Sequence, residues 1–83
     1  MSSLAAVLVD VVAERERQDV KWGVQDHNDY VWNAILGEEV GEVSQALIDH
    51  QFKGAEFKDA RAELVQVAAV AVAWIEAIDR RRP

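Results

Sequence analysis

A chain of 83 residues is enough for one small domain, spanning 1–83. Domains of that size are marginal alone, because they bury only about 60% of the surface their unfolded chain exposes. There is no cysteine, which excludes disulfides and thiolate metal sites and suits a reducing, cytoplasmic setting. Nine basic residues against fifteen acidic ones leave a net charge of -6, a field that repels phosphate and argues against binding a nucleic-acid polymer.

The first element is a helix that Ser2 or Ser3 can cap. Its apolar residues Leu4, Val7, Leu8, Val11 and Val12 fall at i, i+3, i+4, i+7 and i+8. It turns polar from Glu14 to Asp19. The start Met1-Ser2-Ser3 has no basic residue and Asp10 interrupts the apolar stretch, so no secretory leader is expected. From Lys21 to Asp29 the period is lost, and Gly23, Asn28 and Asp29 indicate a loop.

Asp29 is the expected N-cap of a second helix, from Tyr30 to about Gln51, and Lys53-Gly54 marks the turn after it. A third helix is expected from near Ala55 to about Arg80, ending in the cations Arg80, Arg81 and Arg82, which suit a helix C-terminus or a solvated tail. The chain is therefore all-α, with three helices. Leu64 to Ile75 is apolar apart from Gln66, yet it is far shorter than the roughly 20 residues that span a bilayer. It reads as a buried helix, and no membrane association is expected.

That third helix is apolar on every face, and a helix of that kind must be covered all round. Two partner helices from one short chain do not suffice, so the expectation is an oligomeric helical bundle, a homodimer or homotetramer. Ala68, Ala69, Ala71 and Ala73 would permit close approach at its centre.

The segment ILGEEVGEVSQAL, Ile35 to Leu47, sets an apolar stripe of Leu36, Val40, Val43 and Leu47 against three acids, Glu38, Glu39 and Glu42. Like charges four apart cost a few tenths of a kcal/mol. Mid-helix Gly41 costs roughly another 1 kcal/mol relative to alanine. Between Arg17 and Lys53 the one cation is Lys21.

Glu39 and Glu42 share a helix face, and Glu63 and Gln66 repeat their spacing on the third helix. In an antiparallel hairpin through Lys53-Gly54 these pairs stand at similar heights and can face each other. Oxygen donors without histidine or cysteine suit Mg²⁺, with Mn²⁺ possible, rather than zinc. A di-iron bundle needs Glu-x-x-His motifs, and neither His27 nor His50 follows a glutamate at that spacing. The bland alternative is an exposed acidic helix face.

EEVGE followed some twenty residues later by ELVQ resembles the Glu-Glu-x-x-Glu…Glu-x-x-Asp signature of the MazG-like, all-α nucleotide pyrophosphohydrolases. The likeness extends through RQDVKWGVQDH upstream and VQVAAVAVAWIEAI downstream, roughly Glu14 to Ile78. It implies cleavage of a nucleoside triphosphate to the monophosphate and pyrophosphate. It also implies Glu39, Glu42 and Glu63 as Mg²⁺ ligands and Glu38 as the residue that orients or deprotonates the attacking water. Gln66 stands where the family has aspartate; its amide oxygen can still ligate, with one negative charge fewer.

Trp22, His27 and Trp32 lie where relatives draw base and sugar contacts, and a tryptophan face can stack on a base. Trp74 reads as core. Lys53, Lys58 or Arg61 could reach a phosphate, and Asn33 the mouth of the site. Two rival readings carry different expectations: a MazG-like binding or oligomerisation module without catalysis, and one piece of a larger complex offering an acidic face to a basic partner.

Overall fold

The computed structural model describes residues 3–81. Within them all regular structure is helical, in three elements: α1 (Ser3–Trp22), α2 (Asp29–Lys53) and α3 (Lys58–Arg81). None of the three is long and apolar enough to cross a membrane. Of the two serines expected to cap α1, Ser2 lies outside the described residues and Ser3 is the first helical residue.

The helix ends follow from local chemistry. α1 runs through Lys21 and Trp22, two residues into the expected loop, and stops where Gly23 takes the left-handed φ of 70°. The Gly23 N–H donates to the Asp19 carbonyl at 2.8 Å, which satisfies one of the orphan carbonyls at a helix C-terminus.

Asn28, not Asp29, caps α2: its side-chain oxygen accepts from the Val31 N–H at 2.9 Å. Asp29 sits in the first helical turn, where a carboxylate complements the helix dipole. There it accepts from Trp74 Nε1 at 2.9 Å and Arg81 at 2.7 Å, tying the start of α2 to the end of α3. The Arg81 hydrogen bond, followed by that of Trp74, holds the Asp29 carboxyl below its ordinary pKa.

α2 ends at the expected turn, with Gly54 at φ 75°. Both the Gly54 and Ala55 N–H groups return to the Asp49 carbonyl. α3 begins at Lys58, later than the sequence suggests, because Ala55–Phe57 form the turn: Asp59 N–H reaches Glu56 O and Ala60 N–H reaches Phe57 O.

α3 is the central element. Its backbone lies close to both α1 and α2, whose backbones do not come as near to each other. Trp32, Val70, Ala73 and Ala77 form the core, with Ile35, Leu36 and Trp74 packed against it. Alanines at Ala69, Ala73 and Ala77 let the neighbouring helices approach closely, and the large apolar volume comes from Trp32, which is 1% exposed. Its indole N–H meets no acceptor, while the His27 ring stands edge-on to it at 5.0 Å.

Two ion pairs join α1 to α3, Arg15–Glu76 and Arg61–Asp10, both at 2.8 Å. Both are open to solvent on at least one side, and pairs of that kind contribute up to about 1 kcal/mol.

Complete burial of α3 does not occur within one chain. Its buried residues are Ala60, Ala69, Val70, Ala73 and Ala77, whereas Leu64, Val72 and Ile75 remain exposed. α1 and α2 also leave much of their apolar surface open.

Candidate metal centre

The α2–α3 hairpin brings three of the four expected ligands together. One carboxylate oxygen each from Glu39, Glu42 and Glu63 lies within 4.8 Å of the others. Glu39 and Glu42 are one turn apart on α2, and Glu63 faces them from the second turn of α3. Glu39 and Glu63 are half-buried; Glu42 is exposed at the rim. Glu42 and Glu63 continue into a cleft of about 370 Å³ whose other polar residues include Gln45, Asp49 and Asp59.

The electrostatics are those of crowded like charges. Burial, then the neighbouring Glu42 and Glu63, pushes the Glu39 carboxyl up to about 7. Burial raises Glu63 as well, followed by its hydrogen bond to and repulsion from Glu42. Buried oxygens normally find donors, yet Glu39 Oε2 and Glu63 Oε2 are shielded from water and have none. Two shielded oxygens without a donor, in a trio of carboxylates whose nearest oxygens lie within 4.8 Å of one another, fit a hard divalent cation.

The remaining expected residues are placed as follows. Gln66 lies one turn beyond Glu63 but lines the groove toward α1 with Glu14, Arg17 and Arg61. Glu38 is exposed, adjacent to Glu39 and one turn from Glu42. Trp22 is exposed, with Lys21 Nζ 4.5 Å from its ring centre. His27 contacts Trp32, which is core. Asn33 is exposed, and Lys53 pairs with Asp49 at 3.4 Å.

Glu14 is an addition that the sequence reading missed. Its charge acts on both Glu39 and Glu63, and Arg17 partly neutralises it at 2.6 Å. No local pattern could have found it, because its proximity depends on how α1 crosses the hairpin.

Comparison with known proteins returns nothing: no family model, no curated protein and no solved structure matches the chain.

Proposed function

We propose that this protein is a MazG-like nucleotide pyrophosphohydrolase, dependent on Mg²⁺ or Mn²⁺, that releases pyrophosphate from a nucleoside or deoxynucleoside triphosphate. The observation that carries this reading is the convergence of Glu39, Glu42 and Glu63 with two donorless buried oxygens. The EEVGE…ELVQ resemblance supplies the reaction class.

In this reading Glu39, Glu42 and Glu63 hold the cation, and Gln66 completes the set only if its amide turns from the α1 groove. The bound cation supplies charge neutralisation and polarisation of the phosphoryl group. Glu38 takes a proton from the attacking water at the edge of the cluster. The acidic cleft beside Glu42 repels a bare triphosphate, so affinity for the nucleotide depends on the cation. Trp22, His27, Asn33 and Lys53 border the substrate. The assembly is a homodimer or homotetramer in the cytoplasm.

The test is pyrophosphate release from a panel of NTPs and dNTPs with Mg²⁺ or Mn²⁺, comparing wild type with Glu39→Gln. Metal-dependent release lost in the variant supports the reading and names the base and sugar. Absence of release from a folded wild-type protein contradicts it. The position of Gln66 favours a second reading in that event, a helical module without catalysis, and Gln66→Asp is then the variant to assay.

A further inference from the structure

Gln66 stands beside the carboxylate trio without joining it. Its side chain is half-buried and lines a groove of about 220 Å³ between α1 and α3, together with Asp10, Glu14, Arg17 and Arg61. None of the described residues hydrogen-bonds the side-chain amide. A neutral donor without a partner therefore sits between two arginines.

The acids beside those arginines do not saturate them. Arg17 donates through Nε and Nη2 to Glu14 Oε1, at 2.9 and 2.6 Å. Arg61 donates through Nη2 to Asp10 at 2.8 Å. A guanidinium carries more N–H donors than these pairs use, so Nη1 of Arg17 and both Nε and Nη1 of Arg61 remain available. The two side chains are 65% and 53% exposed, open to an anion arriving in the groove.

Charge separates the two openings beside the trio. The cleft on the α2 side is lined by Glu42, Asp49, Asp59 and Glu63 and by no cation. The groove on the α1 side sets Arg17 and Arg61 against Asp10 and Glu14. The two openings meet at Ala62, a small side chain that lines both. Glu14 acts on Glu39 and Glu63, so the groove lies within electrostatic reach of the trio. Of the two, the groove is the one that a polyanion can enter with donors facing it.

We propose that the α1–α3 groove is the phosphate side of the site, where Arg17, Arg61 and the Gln66 amide donate to the terminal phosphates of the nucleotide. The inference rests on the proposed reading of Glu39, Glu42 and Glu63 as the cation site. It gives Gln66 a role as a phosphate donor in place of a metal ligand. The planar fork of an arginine suits two phosphate oxygens at once. An aspartate at this position would repel the same group.

The test is calorimetric titration of the full chain with inorganic pyrophosphate in Mg²⁺, with helicity followed by circular dichroism. Arg17→Gln, Arg61→Gln and Gln66→Asp are each expected to weaken binding about tenfold with helicity retained. All three are expected to keep the Mg²⁺-induced rise in thermal midpoint, which a damaged cation site would lose. Arg80→Gln, the same change of charge at the far end of α3, is expected to leave the affinity unchanged. Arg61→Gln also opens the Asp10 pair that joins α1 to α3. Should it lose helicity, Arg17→Gln, which breaks a contact within α1 alone, decides.

Arginine variants that bind pyrophosphate as well as wild type overturn the inference. So does Gln66→Asp binding more tightly, as a further metal ligand would, or a wild type that takes up no pyrophosphate. Failure of the catalytic reading shows separately, as a wild type that binds pyrophosphate yet releases none from any nucleotide.

Discussion

Glu39 is the residue on which the acidic cluster is most sharply tuned. Its carboxyl titrates near 7 in the folded chain against 4.5 for the free side chain. The folded state therefore binds more protons than the unfolded state between those values, and stability falls as pH rises from about 4.5 to about 7. Above that window the metal-free protein carries the full penalty.

Glu39→Gln is expected to flatten this dependence and to stabilise the metal-free protein at pH 8 by about 1 kcal/mol, or roughly 4–8 °C in a domain of this length. Thermal melts of both proteins at pH 5 and pH 8 check it: equal slopes with pH would contradict the assignment. A divalent cation at these carboxylates would compete with their protons, so its affinity is expected to rise over the same window with proton release, measurable by calorimetry in two buffers.

Three-residue spacing indicated Glu39 and Glu42, because such positions share a helix face, and matched distance from the Lys53-Gly54 turn indicated Glu63 opposite them. The orientation of Gln66 toward α1 and the reach of Glu14 were not legible. Both depend on the crossing of α1 and α3, which no periodicity encodes.

The helices themselves follow from apolar period and punctuation. Two glycines, one within α2 and one capping it, make opposite predictions. Gly54 sits at φ 75°, where a Cβ is strained, so Gly54→Ala is expected to cost about 1 kcal/mol. Gly41 is inside the helix with open space where a methyl group would project; Gly41→Ala is expected to add roughly 1 kcal/mol to the stability of the single chain. Denaturant titration of the two variants checks both signs.

The structure of one chain offers no packing reason for Gly41. Asn28→Ala removes the α2 cap and is expected to cost about 1 kcal/mol by the same measurement. Choosing Asn28 over Asp29 was beyond the sequence, since both are good caps. The choice is settled by Asp29 being held by Trp74 and Arg81 from the far end of α3. The late start of α3 has a similar origin, a turn whose hydrogen bonds engage Glu56 and Phe57.

At the scale of the whole molecule, the all-α character was legible, and so was the shortage of cover for α3. The distribution of that shortage was not. Alanine-lined contacts let α1 and α2 lie against α3 with their own backbones apart, producing a body of 48 × 34 × 20 Å that leaves large apolar residues of all three helices exposed. In the proposed function this acidic chain meets a triphosphate, which calls for a cation at Glu39, Glu42 and Glu63.

The most direct measurement is the thermal midpoint at pH 7.5 with increasing Mg²⁺ or Mn²⁺, for wild type, Glu39→Gln and Glu63→Gln. The midpoint of the wild type is expected to rise in proportion to the logarithm of cation concentration above Kd, while both variants stay flat. A wild type that does not respond, or variants that respond equally, would contradict a metal centre at Glu39, Glu42 and Glu63.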